Sequence, residues 1–195
     1  MLVRRANWWV ILAVAALGPL FGAAITWRLA DADSNPRPTT PAPSRADAPS
    51  AGRLDVRMPD GGSIAMSELA PGRPVAVVVM KGSWCPVCRR QLVRLSKRLE
   101  AVRRAGGSVF GLSHADPERN RRMMKELDLK FPVLSAPSTS VLQKLGLWRD
   151  DACHATPGVV YLDEQGRIEE IHRGRYPGRP QEACIIDQLE SLNSR

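Results

Sequence analysis

The chain has 195 residues, 44% hydrophobic and 25% charged, which is enough apolar material for one core of ordinary size and excludes a chain disordered throughout. The formal net charge is +8, yet the basic residues are scattered over the N-terminus, a linker and several helices rather than gathered with aromatics, so no nucleic-acid partner is expected. Four cysteines, Cys85, Cys88, Cys153 and Cys184, are too few for a disulfide-dense scaffold and too many to pass over as incidental core residues.

Residues 6–27, ANWWVILAVAALGPLFGAAITW, carry no charge and are long enough to cross a bilayer as a helix. Arg4 and Arg5 stand before this stretch, and Trp8, Trp9 and Trp27 stand where interfacial tryptophans belong. The expectation is a short cytoplasmic N-terminus over 1–5, a single transmembrane anchor over 6–28, and everything after it extracytoplasmic, periplasmic or at the cell surface. A cleaved signal peptide is the alternative, although its apolar core normally spans only about 7–15 residues. Residues 29–52 are rich in Pro, Ala, Ser and Thr and poor in large apolar side chains, so they are expected to be a semi-extended tether.

The folded domain is expected over 53–195. Its first stretch, RLDVRMPDGGSIAMSELA, predicts a strand, a turn at Asp60-Gly61-Gly62, a second short strand and a helical start at Ser67. PVAVVVMK (74–81) is a continuous β-branched run of the kind buried on both faces of a sheet. After it, Leu92, Leu95, Leu99 and Val102 recur at spacings of three and four with arginines on the remaining faces, which predicts one amphipathic helix. GSVFGLSH predicts a strand, DPERNRRMMKELDL a helix opened by Asp116 and Pro117, and FPVLSAPSTSVLQKLGL a short extended piece followed by a helix. GVVYLDEQGRIEEIHRG predicts a hairpin around Gln165-Gly166, and RPQEACIIDQLESL a last helix with Pro180 in its first turn. Strands alternating with helices, then a hairpin and a helix, imply an α/β sandwich with a mixed sheet.

Cys85 falls where the chain passes from strand to helix, so its sulfur is expected near unpaired N–H groups and the positive end of the helix dipole, which favour a thiolate. Pro86 at the helix start removes a donor that has no intrahelical partner, and Arg89 and Arg90 can add positive potential. Cys88, one turn further on, can reach back to close a disulfide, so C-x-x-C at this junction predicts redox chemistry. A structural zinc site needs four ligands, and no second pair is present.

Three pieces of sequence carry a resemblance: the strand, WCPVC and helix; GLSHADPERNRRMMKELDLKFPVLSAPSTSVLQKLGL; and ATPGVVYLDEQGRI. Together they resemble the thioredoxin superfamily, and within it the branch of alkyl hydroperoxide reductase and thiol-specific antioxidant proteins, over about residues 53–195. The resemblance implies a thioredoxin-like three-layer sandwich with a mixed central sheet. It also implies that Pro157, after Thr156, is the cis-proline beside the redox cysteines. Peroxidases of this branch place Thr or Ser three residues before the reactive cysteine, where Gly82 stands, and Arg beside the strand that begins at Gly158, where Pro157 stands. Lys81, Ser83 and Arg175 are possible substitutes, and Trp84 a gate over the sulfur.

The leading expectation is therefore a membrane-tethered thiol-disulfide oxidoreductase, with Cys85 attacking, Cys88 resolving and Pro157 as a substrate-side backbone platform. It needs no cofactor or metal beyond its own Cys85–Cys88 pair. Its partner is a protein or small-molecule disulfide or dithiol, including a membrane or extracytoplasmic electron donor. One alternative is a thiol peroxidase with Cys85 as the peroxide-reactive cysteine. Another is a copper-handling module using Cys85, Cys88 and His154. A second disulfide, Cys153–Cys184, is expected because the proposed topology brings the Cys153 loop and the start of the last helix to one end of the domain.

Overall fold

The computed structural model describes residues 54–69, 71–174 and 179–195. The anchor and tether expected over 6–28 and 29–52 lie outside these residues. No helix among the described residues is long and apolar enough to cross a membrane.

The domain begins with a small antiparallel pair, β1 (Asp55–Arg57) and β2 (Ser63–Ala65), joined through the Asp60-Gly61-Gly62 turn and followed by a 3₁₀ turn at Met66–Leu69. Strand β3 (Val75–Val79) leads into helix α1 (Pro86–Lys97), and helix α2 (Leu99–Arg104) leads into β4 (Ser108–Ser113). Then come α3 (Pro117–Glu126), β5 (Val133–Ser135) and α4 (Thr139–Lys144). A two-residue ribbon, β6 (Trp148–Arg149) and β7 (His154–Ala155), precedes the hairpin of β8 (Gly158–Leu162) and β9 (Ile168–Arg173), and α5 (Glu182–Asn193) follows.

The main sheet runs β2-β1-β5-β4-β3-β8-β9. Strands β3, β4 and β5 are parallel to one another, while β8 is antiparallel to β3 and β9 to β8. This is the mixed sheet expected from the sequence. Strand β3 explains the two layers around it, because alternate residues of a strand face opposite sides. Val75, Val77 and Val79 join a core with Leu142 of α4, Leu147 and Ala155. Ala76, Val78 and Met80 join the opposite core with Leu92 and Leu95 of α1, Met123 of α3, and Ile185 and Leu189 of α5. Helices thus cover both faces, giving the three-layer thioredoxin-like arrangement.

The register fixes where chemistry can occur. Val79, at the end of β3, lies opposite Gly158 at the start of β8, and Gly158 lies opposite Arg173 at the end of β9. The segments after Val79, before Gly158 and after Arg173 therefore meet at one end of the sheet. Gly158 is required there, since a Cβ at this position would stand 2.5 Å from the His172 carbonyl oxygen.

Two local expectations are corrected. The single helix expected from Leu92 to Val102 is interrupted at Arg98, which leaves helical geometry at φ −106° and ψ 14° and separates α1 from α2. Pro180 lies ahead of the last helix rather than in its first turn, because Gln181 is the N-cap.

Candidate active site

Cys85 is the N-cap of α1, in extended geometry, and Pro86 occupies the first helical position as expected. A cysteine in place of the usual Ser or Asp makes the capping atom a sulfur, and Cys85 Sγ accepts the Cys88 backbone N–H at 3.4 Å. Cys88 Sγ accepts the Lys81 N–H at 3.3 Å. Both thiols are buried, Cys85 with 6% and Cys88 with 2% of its surface exposed, and both are reduced. They lie at the edge of the core formed by α1, α3 and α5.

The two sulfurs titrate in opposite directions. Burial pushes the Cys85 thiol up, but hydrogen bonds from the Cys88 thiol and backbone N–H, the positive charge of Arg179 and the Val87 N–H together hold it below the ordinary thiol value. Burial, with the hydrogen bond that Cys88 gives to Cys85, pushes the Cys88 thiol up, against Arg179 and the Lys81 N–H. One sulfur is thus prepared as a nucleophile and its neighbour as a proton-bearing thiol.

Cys85 opens into a cleft lined also by Lys81, Thr156, Pro157, Arg173 and Arg179. Thr156 and Pro157 thus border the same cleft as the cysteine. Their backbone groups are engaged: the Thr156 N–H donates to the Leu147 carbonyl and the Pro157 carbonyl accepts the Gly174 N–H, each at 2.7 Å.

Arg179 is the residue that sequence reasoning missed. It stands just before α5, and its Nη1 donates to Gln91 Oε1 at 3.3 Å while Gln91 Nε2 donates to the Pro180 carbonyl at 2.8 Å. Gln91 lies on the buried side of α1, only 4% exposed. A glutamine three residues after Cys88 on the apolar face of an amphipathic helix was the available signal, because a buried amide needs partners from elsewhere in the chain.

The other candidates are dispersed. Arg89 is directed away from the sulfur: its guanidinium donates to the Ser83 carbonyl at 3.3 Å and pairs with Glu126 of α3 at 2.5 Å. Trp84 is 63% exposed and borders the neighbouring groove with Pro86 and Arg90, not the Cys85 cleft. Arg175 lies outside the described residues. The Cys153–Cys184 bridge is not formed, and both are exposed free thiols. The sheet separates them: Cys153 follows the β6 strand, whose Trp148 packs on the α4 side, whereas Cys184 belongs to α5, whose Ile185 and Leu189 pack on the other face. The copper alternative lacks a donor set, since no group of three or more His, Cys, Asp or Glu able to hold a metal occurs among the described residues. His154 Nδ1 donates instead to the Ala155 carbonyl at 3.0 Å.

A dithiol at the start of a helix, beside a proline-bearing strand entry on a thioredoxin-like sheet, defines a thioredoxin-fold thiol protein. Within that class the chain belongs to the AhpC/TSA family, which it matches over residues 46–171. It is 26% identical over 135 residues to chloroplastic peroxiredoxin Q of Populus jackii, covering 68% of this chain and 62% of that protein. It is 25% identical over 120 residues to peroxiredoxin Bcp of Escherichia coli K12, covering 57% of this chain and 75% of that one. The chain thus spans about three fifths of the length of its plant relative. The crystal structure of peroxidoxin BcpB from Mycobacterium tuberculosis has the same fold, with a TM-score of 0.64 at 12% identity over 75% of this chain and 95% of that chain.

Proposed function

We propose that this domain is a thiol peroxidase in which Cys85 reduces a hydroperoxide and Cys88 resolves the product. The sequence alone placed disulfide exchange first, because the hydroxyl at 82 and the guanidinium at 157 were missing. The observation that carries the peroxidase reading is Arg179, which brings a guanidinium into the Cys85 cleft from a different element, its charge acting on Cys85 and its side chain hydrogen-bonding to Cys88. Thr156, which lines the same cleft, carries a hydroxyl that can donate to a peroxide oxygen. Family membership and relatives named as peroxiredoxins support the same chemistry.

The Cys85 thiolate attacks the terminal oxygen of ROOH, so an S–O bond forms, the O–O bond breaks, and RO⁻ leaves and takes a proton from solvent. Sulfur loses two electrons and becomes a sulfenic acid. Arg179 stabilises the negative charge before and during this step. The Cys88 sulfur then attacks the sulfenic sulfur, water departs, and a Cys85–Cys88 disulfide remains. Exchange with an external thiol returns the pair to its reduced form, so the disulfide chemistry expected from the sequence becomes the second half of the cycle.

Stopped-flow oxidation by hydrogen peroxide tests the reading. A second-order rate far above that of free cysteine is expected, and a rate equal to free cysteine would reject it. We also propose that the apolar segment over 6–28 tethers the domain outside the cytoplasmic face. Retention of the full chain in membranes after alkaline carbonate washing is expected, and its release would count against an uncleaved anchor.

A further inference from the structure

The cleft beside Cys85 encloses about 930 Å³, within the usual range of small-molecule sites and far more than a hydroperoxide group fills. Among the described residues its wall carries Lys81, Arg149, Arg173 and Arg179, and no carboxylate. Arg149 is neutralised by Asp151 beside it. The other three have uncharged neighbours: Arg173 Nε donates to the Gly146 carbonyl at 3.1 Å, Arg179 Nη1 donates to Gln91 Oε1, and the Lys81 ammonium stands 5.3 Å from the Trp84 ring centroid. Among the described lining residues, the group that can face these cations with a negative charge in the reduced protein is Cys85, as its thiolate. Oxidation to the disulfide removes it, so the cleft is most electropositive when a reductant must enter.

We propose that the reductant is a small thiol bearing carboxylates, held by Arg173 and Lys81 while its sulfur meets Cys85. The proposal rests on the peroxidase cycle above and names the donor that closes it. A hydroperoxide presents a neutral reacting group, whereas a thiol reacts as the thiolate, an anion to which added carboxylates bring further attraction. The Thr156 N–H is already engaged by the Leu147 carbonyl and is not available to pair with an incoming peptide strand, which favours a small molecule over an extended chain.

Cys88 is 2% exposed, so attack falls on Cys85. The incoming RS⁻ forms an S–S bond with Cys85 Sγ, the Cys85–Cys88 bond breaks, and its electron pair goes to Cys88 Sγ, which takes a proton from solvent. A second RS⁻ attacks the outer sulfur of the mixed disulfide, releasing RSSR and the Cys85 thiolate. Two thiolates supply the two electrons that the disulfide accepts.

The test uses the full chain with its bridge made by diamide, so that it does not depend on any reaction with peroxide. Reduction is timed with mercaptosuccinate and with 2-mercaptoethanol, rates being expressed per thiolate. At low ionic strength mercaptosuccinate should be faster by about tenfold or more, and the ratio should shrink as salt screens the charges. The ratio should fall towards one in Arg173→Gln and be retained in Arg173→Lys, which keeps the charge. A ratio near one in the unsubstituted protein, or one unchanged in Arg173→Gln, overturns the proposal. Slow oxidation of the reduced pair by hydrogen peroxide would instead sink the peroxidase reading, and the two failures are seen in separate measurements.

Discussion

At the scale of single residues, the division of labour between two sulfurs three positions apart follows from what each one accepts. Cys85 Sγ receives the Cys88 N–H and is acted on by the charge of Arg179, whereas Cys88 is deeper and keeps its proton. Cys85→Ser should abolish peroxide consumption, while Cys88→Ser should react once and accumulate a sulfenic acid detectable by dimedone labelling. Because the folded Cys85 thiol lies below its ordinary value of 9.0, the rate of oxidation should rise with pH and level off before that value is reached. Arg179→Gln removes a positive neighbour that favours the thiolate, so the inflection should move to higher pH, read from thiolate absorbance at neutral and alkaline pH. An inflection unmoved by this change would show that the guanidinium does not act on Cys85.

At the scale of elements, α3 is pinned to the sheet by a polar cluster rather than by apolar packing alone. Asn120 is fully buried; its Nδ2 donates to the Leu134 carbonyl at 3.1 Å and to Ser135 Oγ at 2.8 Å, and its Oδ1 accepts from Ser113 Oγ–H at 2.8 Å. Asn120→Leu would take the Asn120 amide from the Leu134 carbonyl and Ser135 Oγ and the acceptor from the Ser113 hydroxyl, and should cost about 3 kcal/mol. Chemical denaturation should show a lower midpoint with an unchanged slope. At the hairpin, Gly158→Ala would drive a methyl group against the His172 carbonyl and displace the corner holding Pro157 and Gly174. A loss of roughly 2 kcal/mol is expected. Peroxide turnover should fall with it, and full activity with unchanged melting would contradict this account of the corner.

For the molecule as a whole, what could be read in advance divides by distance along the chain. The βα junction, the C-x-x-C pair at the helix start and the mixed sheet were legible because alternation, spacing and turn residues are local signals. The Arg98 break was not, since Leu99 and Val102 keep the apolar rhythm across it. Nor was Arg179, whose partner Gln91 is 88 positions away and belongs to it only once α5 packs on α1. The expected Cys153–Cys184 bridge failed for the same reason: which face of the sheet an element covers is a property of the assembled layers. Both thiols should therefore react rapidly with a maleimide in the native protein under non-reducing conditions, and peptide mapping that finds them joined would contradict the structure.

The late position of Arg179 also sets an order of events during synthesis. Cys85 and Cys88 leave the ribosome long before Arg179, which is made 94 residues after Cys85. At translation speeds of about 5–20 residues per second, this interval lasts roughly 5–20 s. Throughout it the Cys85 thiol lacks the positive charge of Arg179, one of the influences that lower it, because neither the guanidinium nor the helix that holds it in place yet exists. That share of the thiolate's stabilisation is therefore added last, after the cysteine pair and the helix that carries it have been made.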